Sequence, residues 1–333
     1  MNIVKLDMNE MPYTPPLPVI EAAQRGLVDL NRYADACHLQ QLLELVAGYA
    51  GVPEHNIVLS PGSDLLLREV IHAFSWDRQV LTVSPSFLPT VQIADRFAHK
   101  RLRLRLSPPD FRLDPDLLLR ALKPSTLVII DNPNNPTGQI LLDCDLVASL
   151  AKRQETLIVV DEAYFEFSGV TCAPLVTDNP NLCVVRTLDK AFGLAGARVG
   201  YAVAGEHFVA ALSTPLAYLP QPSLRAAMEA LRNPDYMRGY VRQIAEERAW
   251  LVKALRASGA TVYPSHANFL LVKAQLPDMA RRLRELNVWV SDMATQLPAG
   301  YIRVSVGTPE ENRIFMTRYK QLTDEAHYEE DER

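Results

Sequence analysis

The chain has 333 residues, 48% hydrophobic and 22% charged, the proportions of an ordinary globular protein, which excludes a disordered, collagenous or coiled-coil chain. Its length favours about two domains of ~100 to 200 residues each over one small core. With 34 Lys and Arg against 39 Asp and Glu the net charge is -5, so no global basic field is present to hold nucleic acid, and small molecules become the expected partners.

No apolar run approaches the ~18 residues of a membrane span, and the first residues carry Lys5 and Asp7 where a secretory peptide would be apolar. A cytoplasmic location is expected. Short β-branched runs then alternate with helical patterns, which predicts an α/β protein with a mostly parallel sheet between helices. The predicted strands are Ile57 to Leu59, Gln79 to Val83, Leu127 to Ile130, Leu157 to Val160, Leu182 to Val185 and Val199 to Val203, near-continuous apolar runs suited to burial on both faces. Arg101 to Leu106 alternates Arg and Leu and reads as a half-exposed edge strand, its charges discouraging further pairing.

After about Arg232 the pattern changes to that of a smaller C-terminal α/β domain. A helix is predicted over Tyr236 to Ala257, strands over Thr261 to Tyr263 and Phe269 to Val272, and further strands near Val288 and Ile302. The last helix has a capping box, with Thr308 as cap, Pro309 next and Glu311 three residues on. The charged tail from Glu325 to Arg333 is expected to fray. Cys37, Cys144, Cys172 and Cys183 have none of the short spacings of a zinc site or redox dithiol; they are expected to be free, semi-buried thiols, and no metal is expected.

Five segments carry chemistry-bearing residues. Lys190 follows the strand ending at Val185 and precedes the small-residue loop Ala191-Phe192-Gly193-Leu194-Ala195-Gly196. An ammonium there either pairs with a carboxylate or is used covalently. Asp161 ends a predicted parallel strand, where α/β proteins place ligands. Asp131-Asn132-Pro133-Asn134-Asn135-Pro136-Thr137-Gly138 forms an irregular loop at the same sheet edge. Ser60-Pro61-Gly62-Ser63-Asp64 leads from a strand into a helix, a phosphate cradle or an ordinary capped helix. Arg198, eight residues beyond Lys190, could neutralise a phosphate.

This set, in this order, resembles the pyridoxal-phosphate enzymes of the aspartate aminotransferase fold, and most closely the histidinol-phosphate aminotransferase group, whose relatives include threonine-phosphate decarboxylase. It runs from Leu6-Asp7-Met8-Asn9-Glu10 to Arg303-Val304-Ser305-Val306-Gly307-Thr308. The resemblance implies a fold type I enzyme with residues 1–32 packing on the active site and small domain, residues 33–232 binding the cofactor, and residues 233–333 forming the small domain. It implies pyridoxal 5'-phosphate as cofactor, attached to Lys190, which would also move the substrate's proton. Asp161 would pair with the pyridinium nitrogen, Asn135 and Tyr164 would bond the ring's 3' oxygen, and Phe87 would stack on the ring unless it is simply a core aromatic. Gly62, Ser63, Asp64, Thr187 and Arg198 would bind the phosphate, and Tyr33 would reach the phosphate in the partner of a homodimer. Arg303 would hold the substrate's carboxylate, with a surface salt bridge as the alternative, and Asn9 and Glu10 would fold over the site.

Two positions depart from the group. Asp189 stands before the lysine where the group usually has Ser, and a carboxylate ~4 Å from a phosphate is repelled by about 1 kcal/mol per charge pair even in water. It is therefore expected to point away or to pair with a cation. Ser291 lies near an arginine that in histidinol-phosphate enzymes grips the substrate's own phosphate. The implied activity is transfer of an amino group between an amino acid, or an amine such as histidinol phosphate, and a 2-oxo acid. The alternatives are decarboxylation of an amino-acid phosphate and a cofactor-retaining protein with little turnover.

Overall fold

The computed structural model describes residues 3–212 and 219–331. Twelve strands occur among them: β1 (Val4–Leu6), β2 (Ile57–Ser60), β3 (Gln79–Ser84), β4 (Lys100–Arg105), β5 (Thr126–Asp131), β6 (Leu157–Asp161), β7 (Leu182–Thr187), β8 (Gly200–Ala204), β9 (Thr261–Val262), β10 (Phe269–Lys273), β11 (Val288–Asp292) and β12 (Tyr301–Ser305). Seven of them form a large sheet in the order β2-β8-β7-β6-β5-β3-β4, and five form a small one in the order β1-β11-β12-β10-β9.

The large sheet is parallel from β7 through β4, with β8 antiparallel between β2 and β7. Alternation along each strand splits its apolar residues between two cores. Val128, Ile130, Ile158, Val160 and Val184 point to one side, where helices Ala36–Ala50, Cys144–Ala151 and Gln221–Arg232 supply Leu42, Leu150 and Leu224. Leu127, Ile129, Leu157, Val159 and Val185 point to the other, against Leu67 and Ile71 of helix Ser63–Phe74 and Phe208 of helix Glu206–Leu212. Burial on both faces is why these strands read as uninterrupted apolar runs. β4 pairs only with β3, and its arginines are exposed, as the Arg-Leu alternation required.

The small sheet has its own core, in which Leu251 and Leu255 of helix Asp235–Ala257 meet Phe315 and Tyr319 of helix Pro309–Asp331. The capping box forms in both directions: the Glu311 amide donates to Thr308 Oγ1 at 3.2 Å and the Thr308 amide to Glu311 Oε2 at 2.8 Å. Two expectations are corrected, and one strand appears that the sequence did not signal. The tail does not fray at Glu325 but stays helical through Asp331, since Ala and Glu are good helix formers and Gln321 bonds Glu325 one turn on; Glu332 and Arg333 lie outside the described residues. Val4–Leu6 was not read as a strand, yet it pairs in parallel with β11, a partner far away in sequence. Cys144 and Cys172 come within 3.9 Å of each other, while Cys37 is exposed instead of semi-buried; the four thiols are unbridged.

One glycine sets the level of the sheet edge. Gly200 pairs with Ser60 on one side and Thr187 on the other, and a Cβ there would lie 2.4 Å from the Ser63 amide nitrogen. Gly200→Ala should therefore push the start of helix Ser63–Phe74 away from β8 and lower stability by about 1 to 3 kcal/mol, as overpacking does. A urea midpoint equal to wild type would contradict this packing.

Candidate active site

The C-terminal ends of the parallel strands and one edge of the small sheet enclose a cavity of about 450 Å³. Asp161 ends β6, and its buried carboxylate accepts from the Ala163 amide at 3.1 Å. Burial, aided by the charge of Asp131, pushes its pKa up to about 7. Lys190 stands in the same cavity, its Nζ donating to the Met8 carbonyl at 3.2 Å and lying 6.0 Å from the centre of the Tyr164 ring.

At one end of the cavity, helix Ser63–Phe74 begins. Its cap, Gly62, has φ +94°, a conformation that favours glycine, and offers no side chain to the leading amides. Ser63, Asp64, Thr187 and Arg198 line this end. A helix start next to a guanidinium is a positively polarised cradle suited to an anion. Two carboxylates already flank that guanidinium: Arg198 Nη1 donates to Asp189 Oδ2 and Nη2 to Asp64 Oδ1. Asp189 thus pairs with a cation, but it does not point away, because it lines the cavity and is buried.

At the other end lies Arg303 on β12. Its Nη1 donates to Asn135 Oδ1 at 2.7 Å, and its Nη2 to the Asp7 carbonyl at 2.6 Å and to Ser291 Oγ at 2.9 Å, while Nε has no partner among the described residues. Burial pulls its pKa down. This is a half-buried fork spanning the two sheets, not a surface salt bridge. Asn135 also donates to the Tyr164 hydroxyl at 3.5 Å, which accepts from Asn9 at 3.1 Å. Phe87 lines the cavity at the start of helix Leu88–Phe97.

A half-buried amine, a buried carboxylate with no ion-pair partner among the described residues and an anion cradle at a helix start are the parts of an amine-transfer site. Comparison with known proteins agrees. Residues 1–318 match the family model for aminotransferase class I and II. The chain belongs to the aminotransferase class I and II family. The histidinol-phosphate aminotransferase of Sulfurisphaera tokodaii is 37% identical over 318 residues, covering 92% of this chain and 87% of the relative, and that of Thermococcus gammatolerans is 34% identical, covering 96% and 92%. Among solved structures, the histidinol-phosphate aminotransferase of Clostridium acetobutylicum (TM-score 0.88, 21% identity, 96% of this chain and 99% of that one) shares the fold. So does that of Sinorhizobium meliloti in complex with pyridoxal-5'-phosphate (0.86, 23%, 98% and 92%).

In this aminotransferase three of the residues picked from sequence do not line the cavity: Glu10, Tyr33 and Gly62, which caps the helix directly behind Ser63. Glu10 turns away and pairs with Lys5 at 2.7 Å, since a carboxylate is better hydrated there than beside Asp161. Tyr33 is 79% exposed. Two contributors were missed: Met8, whose carbonyl receives Lys190, and Asp131, whose buried carboxylate holds the amides of Phe87 and Asn135 at 3.3 and 2.6 Å. Asp131 opens a recognised loop motif, but nothing local distinguishes it from a turn residue.

The elevated pKa of Asp161 has a sign that can be tested. Between its ordinary value of 3.8 and about 7 the folded chain holds a proton that the unfolded chain releases, so this group makes the ligand-free protein less stable as pH rises through that window. Asp161→Asn should flatten the fall in urea midpoint between about pH 4 and 7. Equal slopes for the two proteins would show that the carboxylate is not held in so dry a place.

Proposed function

We propose that the chain is a homodimeric, pyridoxal-phosphate-dependent aminotransferase whose cavity places Lys190 at the reacting carbon of a substrate carrying one anionic group. The observation that carries this reading is the meeting, in one cavity, of the Lys190 amine, the Asp161 carboxylate and the cradle at Gly62, Ser63 and Arg198. The residues fit the cofactor: Asp161 is a buried carboxylate in need of a cation, which a pyridinium nitrogen is, and the helix start suits a phosphate.

When bound, the cofactor supplies an aldehyde that joins to an amine and a ring that draws electrons from the substrate's α-carbon. Lys190 is the attachment point and afterwards the base that takes and returns the α-proton. Asp161 keeps the ring nitrogen protonated. Asn135 and Tyr164 would hold its 3' oxygen, and Phe87 would pack against its ring. The backbone amides of Ser63 and Asp64, the Thr187 hydroxyl and the Arg198 guanidinium would hold the phosphate. Arg303 orients the substrate through its anionic group, with Asn9 closing the site above Tyr164. Domain roles follow: residues 33–232 carry the cofactor site, residues 233–333 carry Arg303, and residues 1–32 cover the opening.

The cations lining the cavity are Lys190, Arg198 and Arg303, so once the first two serve the cofactor a single fork is left for substrate. Ser291, directly across from Arg303 between β11 and β12, adds a hydroxyl and no charge. This favours amino acids with uncharged side chains, or an amine whose one anion is a phosphate, over substrates that need two arginines.

The dimer is supported by an apolar surface on residues 17–33. Leu17, Leu27, Val28, Leu30 and Tyr33 are exposed together, Val28 at 81%, an arrangement soluble monomers avoid. Among the described residues no helix is long and apolar enough to cross a membrane, and four unbridged thiols suit the reducing cytoplasm, which we propose as the location.

Adding L-glutamate or other amino donors to the holoenzyme should change the cofactor's absorbance from its aldehyde to its amine form without release of carbon dioxide. Carbon dioxide release in place of that change would assign the site to decarboxylation. Lys190→Ala should lower turnover by at least about 10²-fold, the lower range for a proton-transfer group, and borohydride should fix the cofactor to the peptide containing Lys190. Labelling of any other peptide refutes the assignment. Mixing Lys190→Ala with Tyr33→Phe subunits should restore activity through heterodimers holding one intact site; an active monomer in sedimentation would remove Tyr33 from catalysis.

A further inference from the structure

Asp189 presents a problem of charge that the rest of the cavity does not solve. Its side chain is 6% exposed, and Oδ2 takes Arg198 Nη1 while Oδ1 is buried with no hydrogen-bond partner among the described residues. Asp64, on the other arm of Arg198, is 53% exposed and can turn into water. Asp189 has no such exit, because its amide is tied to Thr187 Oγ1 at 3.0 Å and its side chain is enclosed. A phosphate dianion entering this cradle would gather four negative charges around one guanidinium if both carboxylates kept theirs.

We propose that Asp189 takes up a proton from solvent when the cofactor's phosphate binds, so that Arg198 passes from Asp189 to the phosphate and the neutral carboxyl donates from its oxygen to a phosphate oxygen. The proposal rests on the reading of this cradle as the phosphate site. The buried, unpartnered Oδ1 is then the donor in waiting, and Asp189 replaces a hydroxyl donor with one that works only when protonated.

The charged groups bearing on Asp189 are Arg198 at the start of β8 and Lys190 beside it, which favour its charge, and Asp64 at the helix start, which opposes it. Burial outweighs the cations and already raises its pKa in the free chain. A dianion raises it further, so binding consumes a proton in the window between the two values and weakens as pH rises through that window.

Sulfate is a suitable probe, being a tetrahedral dianion with no proton of its own to gain near neutral pH. The full-length chain freed of cofactor is titrated with sulfate by calorimetry from about pH 6 to 9. Wild-type affinity should fall by up to about tenfold per pH unit within the window. Asp189→Asn, which keeps the shape and supplies a permanent N–H donor, should bind sulfate with little pH dependence and at least about tenfold tighter than wild type at the high end. A pH-independent wild type, or equal slopes in the two proteins, overturns the proposal while leaving the cradle in place. Sulfate binding that is absent at pH 6, or that Arg198→Ala leaves unchanged, overturns the cradle and the proposal together. Should the Asn variant fail to fold, wild-type titrations in two buffers of different ionisation heat decide the matter: uptake approaching one proton supports it, and none refutes it.

Discussion

The buried carboxylate of Asp131 is the contact on which the rest of the site hangs. It ends β5 near the middle of the large sheet and accepts from Ser86 Oγ at 2.7 Å, the Phe87 amide at 3.3 Å, Asn134 Nδ2 at 3.0 Å and the Asn135 amide at 2.6 Å. Burial raises its pKa and these donors work against that rise. Two loops that would otherwise be irregular are thereby fixed to a rigid strand. Phe87 takes its place from one, and Asn135 from the other. Removing the carboxylate would leave four donors around an unfilled site, a larger loss than any single hydrogen bond is worth.

From Asn135 the network runs onward into the small sheet. Its Oδ1 takes Arg303, its amide nitrogen faces Tyr164, and Tyr164 takes Asn9, whose amide and side chain are both held by Ser305. The two sheets are joined through polar groups at the cavity. Apolar contacts support the same joint: Tyr164 packs edge-on to Phe269 at 5.1 Å with the Arg303 guanidinium over that ring, and Tyr263, just after β9, and Tyr301 on β12 pack edge-on to Phe111 of the large core.

Neighbouring carboxylates in this fold have opposite tasks because a strand end turns successive side chains to opposite sides. Asp161 faces the cavity without a cation partner. Glu162, next in the chain, is enclosed behind the sheet and holds Arg186 through two hydrogen bonds at 3.0 and 2.9 Å, with that guanidinium stacked 3.6 Å above Phe165. The paired residue steadies the strand end. The unpaired one lines the cavity.

The sequence by itself determined the α/β architecture, the strands and the chemistry-bearing segments, because burial on two faces demands unbroken apolar runs and strand ends leave polar residues that no core needs. Lys190, Asp161, Asn135, Tyr164 and Arg198 stand out locally for that reason, and the structure gathers them into one cavity. Contacts between distant parts of the chain left no such trace. Asp131 reaching back to Ser86, Arg303 reaching Asn135, Val4 pairing with Val288 and Cys144 meeting Cys172 depend on which strands become neighbours, and periodicity along one strand carries no information about its partner. The same holds for Glu10, whose motif points to the site but whose carboxylate pairs with the exposed Lys5, and for Asp189, whose pairing with Arg198 follows from Thr187 and Gly200 lying side by side on β7 and β8. Local propensity is fixed by covalent neighbours, whereas the balance of charge in a buried cavity is fixed only when the tertiary fold has excluded water from it.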